Sequence, residues 1–152
     1  MSYSNELYQQ VILEHNKKPR NFGALEDCSH SCHGHNPLCG DMVTIYLIVE
    51  GGVVQDVKFD GKGCAISMAS ASIMTGLVVG KPEADIRSLF ESFHSFVTDD
   101  DREDLGDGFE ELTALGGVRD YPMRVKCATL AWHTLTSAIT NTQEEINTEK
   151  FD

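Results

Sequence analysis

The sequence predicts an α+β fold, and two patterns carry the prediction. One central stretch alternates apolar and polar side chains at period two, while the segments before and after it repeat their apolar residues at helical spacing. A third observation places the chemistry. Gly, Pro and Asp surround Cys39 and Cys64, which is the composition of loops that approach a ligand closely and not of strands that bury cysteine as a small hydrophobe.

Leu7, Tyr8, Val11 and Ile12 recur at helical spacing and Pro19 and Gly23 close the segment, so residues 7–14 are expected to form an amphipathic helix. Residues 24–38 are polar, rich in Cys, His, Ser and Asn, and read as a loop leading to Cys39. Val43, Ile45, Leu47 and Val49 then alternate with Met42, Thr44, Tyr46, Ile48 and Glu50. The pattern breaks at Gly51-Gly52 and resumes over residues 53–59, giving two strands and a tight hairpin. Because Cys39 and Asp41 precede the first strand and Gly61 to Cys64 follow the second, both thiols fall at the open end of that hairpin.

Residues 65–79 read as a helix rich in small side chains, Ala69, Ser70, Ala71 and Ser72, stopped by Gly80 and Pro82. A thiol at its start meets the positive end of the helix dipole, which favours the thiolate. Ile86, Leu89, Phe90, Phe93 and Phe96 or Val97 lie on one stripe of a further helix over residues 85–97. The acidic run 98–108 reads as a solvated loop, and residues 109–115 as a short helix ending at Gly116-Gly117. From Pro122, the residues Val125, Leu130, Trp132, Leu135, Ala138 and Ile139 follow one long helix that carries Cys127 in its opening turns. Residues 142–152 read as a mobile tail. No repeat and no linker divides the chain, so residues 1–152 are taken as one domain.

A chain of 152 residues buries roughly two thirds of the surface its unfolded form exposes, so no metal is needed merely to fold it. Its formal charge of -12 repels nucleic acid phosphates and anionic lipid, which argues against either as a partner. The N-terminus lacks a basic region and an apolar core, and a soluble cytoplasmic protein is expected. Five cysteines, an odd number, in such a chain point to metal or redox use in preference to a disulfide framework.

Three thiolates gathered at one point make a site for a soft metal or for sulfur. Asp41, two residues after Cys39, supplies a fourth group, or else caps a turn. Zinc accepts such a set in a tetrahedron, with sulfur at about 2.3 Å and carboxylate oxygen at about 2.0–2.2 Å. Gaps of 25 residues from Cys39 to Cys64 and 63 from Cys64 to Cys127 match no finger or ribbon pattern. Such a site is assembled by the fold from distant segments.

The three cysteine frameworks resemble the IscU/SufU family of iron-sulfur cluster assembly proteins (NifU N-terminal-like) over about residues 3–140. They are Asn36-Pro37-Leu38-Cys39-Gly40-Asp41, Gly61-Lys62-Gly63-Cys64-Ala65-Ile66-Ser67 with Ala69-Ser70, and Pro122 with Arg124-Val125-Lys126-Cys127-Ala128, Leu130 and Trp132. The resemblance implies a small antiparallel three-stranded sheet with helices packed on one face. Lys126 stands where scaffold-type members carry a histidine, and the acidic stretch 98–117 resembles an insertion of the SufU-type branch. For that branch the resemblance implies zinc held by Cys39, Asp41, Cys64 and Cys127, and sulfur received from a pyridoxal-phosphate cysteine desulfurase; Cys39 is taken as the acceptor because its loop position beside Gly40 allows movement that a helix-anchored Cys127 lacks. It further implies a sulfur-relay role that hands on to an iron-sulfur scaffold or apo-protein, and not a multiple-turnover enzyme acting alone. Arg124, with five fixed donors, orients Asp41 or pairs with an acid on the partner.

Other readings remain. The same ligands would suit iron or a [2Fe-2S] cluster on a scaffold, because an oxygen ligand makes a cluster more labile. A purely structural zinc module is a third reading. A zinc hydrolase ranks last, since four protein ligands leave no position for water. Cys28, Cys32, His30, His33 and His35 depart from the family pattern and read as a loop that binds metal adventitiously, with a second zinc as the alternative. His94, among phenylalanines, and His133 read as structural.

Overall fold

Two glycines set the central hairpin. Gly51 and Gly52 both adopt positive φ, 60° and 77°, the pairing a two-residue turn needs if its twist is to match that of the flanking strands. In a computed structural model, which describes residues 2–98, 104–140 and 146–148, this turn joins β2 (Asp41–Glu50) to β3 (Val53–Lys62). Before it comes β1 (His30–Asn36), antiparallel to β2. The helices are α1 (Ser2–Lys17), α2 (Ala65–Val78), α3 (Glu83–Thr98), the short α4 (Glu110–Ala114) and α5 (Pro122–Ile139). A two-residue strand, β4 (Ile146–Asn147), runs parallel to β1 and gives the sheet order β3-β2-β1-β4.

The alternation read in the sequence is the burial pattern of the sheet. Val43, Ile45 and Leu47 of β2 and Val54, Val57 and Phe59 of β3 are buried, facing α2 and α5, while Met42 on the opposite face is 45% exposed. Trp132 of α5 is fully buried with its ring centroid 5.3 Å from that of Phe93 of α3. Fully burying one large apolar side chain of this kind contributes about 1.5–3 kcal/mol, which is why the helix stripes and the strand alternation converge on a single core. The three antiparallel strands with helices on one face are as expected, with β4 added at the β1 edge.

Two expectations need correction. Residues 24–38 are not all loop, since β1 occupies their second half. Its inward positions are Cys32, Gly34 and Asn36, so no run of branched apolar residues announces a strand. Gly34 explains the choice: a β-carbon there would overlap Thr134 Oγ1 of α5 and sit 3.0 Å from Leu130 Cδ1, so small size lets α5 lie close to β1. The short helix after residue 109 does not stop at the glycine pair but runs into a 3-10 turn, Leu115–Val118. A β-carbon on Gly116 would meet the Phe96 ring at 2.7 Å and one on Gly117 the Tyr8 ring at 3.0 Å, so the glycines serve packing. Of the tail 142–152, residues 146–148 are described; of the acidic run, residues 99–103 lie outside the described part.

Candidate metal centre

The turn from β1 to β2 is four residues long, with Asn36 and Asp41 opposite each other as the last and first strand residues. Gly40, at φ 74°, lets the chain reverse, and its N–H donates to the Asn36 carbonyl at 2.9 Å. Cys39 therefore sits at a hairpin tip and is exposed. Asp41 points the other way, into the protein, and has no exposed surface. A buried carboxylate needs donors. It receives the Cys64 N–H at Oδ1, 2.7 Å, and the Asn36 amide at Oδ2, 3.3 Å.

Cys64 caps α2. With φ -70° and ψ 163° it lies just outside the helix, and its sulfur accepts the Ser67 N–H at 3.5 Å. Its Sγ lies 3.8 Å from Asp41 Oδ2. Cys127, buried in the second turn of α5, has Sγ 3.5 Å from Cys39 Sγ and 3.5 Å from Asn36 Nδ2. The helix carrying it is fixed to α2 one residue later, where Ser70 Oγ donates to the Ala128 carbonyl at 2.5 Å and accepts the Trp132 indole N–H at 3.2 Å. Ligand atoms of Cys39, Asp41 and Cys127 all lie within 4.8 Å of one another, and these three are the sole convergent group of three or more such side chains among the described residues. Cys64 adjoins the group through Asp41.

Without a metal, proximity sets the protonation of the two inner thiols. The Cys64 thiol is lowered to about 7, first because Cys127 donates to it and then because the Ser67 N–H does, against the opposing effect of burial. Cys127 is pushed up by the same interaction and by burial. The interaction thus favours the charged form on Cys64 and the neutral form on Cys127. Tyr8 of α1 lies near both sulfurs, its phenol raised chiefly by burial and held back by the charge of Arg124 and a hydrogen bond with it.

Arg124 is exposed at the start of α5, its guanidinium 4.5 Å from the Tyr121 ring centre, while the bonds to Asp41 described above come from Asn36 and Cys64. The Cys28, Cys32, His30, His33 and His35 group does not form a ligand set. Strand alternation turns Cys32 into the core and His33 outward, where its Nδ1 meets Thr44 Oγ1 at 2.6 Å; His30 Nδ1 meets Ser29 Oγ at 2.8 Å. His94 and His133 pack edge-on against Phe90, with centroids at 5.9 and 4.9 Å. Asn36, through its amide, and Gly63, through its close approach to Asp41, also border the group, and neither carries a role in the sequence motifs. Their signal was adjacency, Asn36 before the Cys39 turn and Gly63 before Cys64.

Residues 7–149 match the NifU-like N-terminal domain family. The chain belongs to this family. Its relatives include the zinc-dependent sulfurtransferase SufU of Bacillus subtilis, 43% identical over 88% of this chain and 89% of that protein. The iron-sulfur cluster assembly scaffold protein IscU of Thermotoga maritima is 38% identical over 88% of this chain and 92% of its own length. Among solved structures, a scaffold protein for the SUF system of Fervidobacterium islandicum superposes with a TM-score of 0.76 at 33% identity, covering 88% of this chain and 97% of that one. A NifU-like N-terminal protein of Brucella abortus gives 0.81 at 26% identity, over 91% and 95%. Two sulfurs and one carboxylate oxygen converge here, with a third sulfur, that of Cys64, 3.8 Å from the carboxylate, and donors of this chemistry suit zinc.

Proposed function

We propose that this chain is a zinc-dependent sulfur acceptor for a cysteine desulfurase, working in iron-sulfur cluster assembly in the cytoplasm. One observation carries the reading: within a buried ligand group, Cys39 alone among the three convergent side chains reaches the surface. Zinc, held by Cys39, Asp41, Cys64 and Cys127, would keep the thiolates ionised and protected between transfers. Asp41 and Cys127 belong to the rigid interior, Cys64 to a helix start, and Cys39 to a turn whose Gly40 permits rearrangement. Cys39 is therefore the thiolate that leaves the ligand set to meet a donor.

Transfer then needs no external oxidant. The Cys39 thiolate attacks the outer sulfur of the donor's persulfide, a new S–S bond forms on Cys39, the donor's S–S bond breaks, and the donor cysteine departs as thiolate. Leu38, Met42, Tyr121 and Met123, each 45–52% exposed, flank the ligand residues in sequence and supply an apolar contact for the donor. Arg124, exposed beside them, pairs with an acidic group on it. The segment 98–117 is the insertion of the SufU-type branch. The recipient of the sulfur is an iron-sulfur scaffold or an apo-protein.

The test is metal analysis of protein purified without chelator, followed by mass spectrometry of Cys39 with desulfurase and cysteine present. One zinc per chain and an added sulfur on Cys39 are expected; an unmodified Cys39 under turnover overturns the reading. A second reading, a scaffold that assembles and transfers a [2Fe-2S] cluster, is favoured by the relatives named IscU and by the carboxylate in the donor set. Anaerobic reconstitution and transfer to an apo-ferredoxin decide between them, because a zinc-only protein yields neither a visible chromophore nor a transferred cluster.

A further inference from the structure

Behind the ligands stands one fully buried amide that belongs to none of them. Asn36 has 0% exposure, and its Nδ2 reaches both Asp41 Oδ2 at 3.3 Å and Cys127 Sγ at 3.5 Å. An amide side chain has two N–H donors on one side and one acceptor on the other. Both of its donors can face an anionic oxygen and a sulfur only while its oxygen faces away. That oxygen, Oδ1, accepts the hydroxyl of Thr148 at 2.9 Å, and Thr148 is itself 1% exposed.

Thr148 comes from the far end of the chain, 112 residues away. It is delivered by β4, which runs parallel to β1 with Ile146 opposite Gly34 and Asn147 opposite His35. The backbone of β4 thereby covers the edge of β1 immediately before Asn36. The next residue, Thr148, is then set against the Asn36 side chain.

We infer that Thr148 is a positioning residue for the metal centre: through Asn36 it fixes the orientation of two ligands, Asp41 and Cys127, and so couples the C-terminal segment to metal retention. The inference rests on the metal-centre reading above. The hydroxyl satisfies the amide acceptor, and without it a buried carbonyl is left unmatched and free to rotate its N–H groups away from the ligands. Hydrogen-bond partners behind metal ligands commonly alter affinity by about 10–100-fold.

The experiment compares the full-length chain, Thr148→Val and Thr148→Ser, each loaded with zinc. Release of the metal to a chromophoric chelator and the Asn36 side-chain amide signals in a 15N spectrum are followed in parallel. Expected are about tenfold faster release in Thr148→Val, a shifted Asn36 amide pair in that variant, and both restored in Thr148→Ser, which keeps the hydroxyl. Equal release rates in the wild type and the Val variant overturn the inference. So does release accelerated equally in both variants, which would mark general loosening of the strand. Should the wild-type chain take up no zinc, the proposed function fails instead, and the Asn36 signals of the metal-free proteins still decide the tie: an unchanged pair in Thr148→Val refutes it.

Discussion

Gly63 lies so close to Asp41 that a β-carbon on the glycine would overlap Asp41 Oδ1 and come within 2.9 Å of Asp41 Cβ. Its φ of 155° is one that residues with a side chain rarely adopt. The missing side chain is what allows the next residue, Cys64, to bring its N–H to 2.7 Å from the carboxylate. Gly63→Ala is therefore expected to lower stability by about 1–3 kcal/mol and to weaken metal binding beyond that loss, since Asp41 must turn from its place. Chemical denaturation of the metal-free chain and zinc titration separate the two effects. A Gly63→Ala protein that binds zinc as tightly as the parent would show that Asp41 is not held by this approach.

Cys32 is 6% exposed and belongs to the core, whereas His33 faces outward. Cys32→Ala removes a small buried group and is expected to cost about 1 kcal/mol, with the number of zinc ions per chain unchanged. His33→Ala is expected to leave both stability and zinc content near the parent values. Zinc content falling in either variant, measured after dialysis against metal-free buffer, would restore a second site on β1.

Much of the architecture was legible because apolar periodicity and burial are the same quantity seen twice. Val43, Ile45 and Leu47 alternate in sequence and face one side of the sheet; Ile86, Phe93 and Val97 recur at helical spacing and are buried. The thiols Cys39 and Cys64 were placed at one end by the hairpin alone, whereas bringing Cys127 to them relied on the family likeness. β1 was hidden because its inward positions are Cys32, Gly34 and Asn36, chosen for small size against α5 and for polarity behind the metal centre. β4 and Thr148 were hidden for a different reason. Two residues of strand carry no readable period, and a single threonine becomes significant only when the fold returns it to Asn36. The role of Arg124 as a bond to Asp41 was suggested by chemistry, and the backbone of Cys64 together with Asn36 fills that place.

His15 and Glu111 tie α1 to the segment before α5. His15 is 3% exposed and uses both ring nitrogens, Nδ1 with Ser72 Oγ at 2.7 Å and Nε2 with Glu111 Oε2 at 2.7 Å; Arg20 reaches the other carboxylate oxygen at 2.9 Å. The Ser-His-Glu order resembles a nucleophile's relay, but Ser72 has 0% exposure and its oxygen already accepts the Arg20 N–H at 2.8 Å. Its role is structural. Glu111→Ala leaves a buried imidazole nitrogen without this partner and is expected to cost about 1–3 kcal/mol, while zinc content and sulfur acceptance by the folded protein remain those of the parent. Loss of sulfur acceptance in a folded, zinc-loaded Glu111→Ala protein would contradict that separation.

His133 predicts how the fold responds to acid. Packed between Phe90 and His94 on the face of α5 beside Trp132, it is lowered to about 4, first by burial and second by the charge of His94. In the unfolded chain an imidazole titrates near 6.5. Between these values the unfolded state takes up a proton that the folded state refuses, so stability is complete above about pH 6.5 and declines as pH falls through that window towards 4. A difference of about two and a half pH units corresponds to about 3 kcal/mol at most, a sizeable share of the stability of a domain this size. His133→Phe removes the titration and keeps an aromatic ring against Phe90. At equal metal loading, its denaturation midpoint is expected to change less between pH 7.5 and pH 5 than that of the parent, because acid loss of metal contributes equally to both. Parallel pH profiles for the two proteins would place the acid sensitivity elsewhere, and a steeper profile for the variant would reverse the sign argued here.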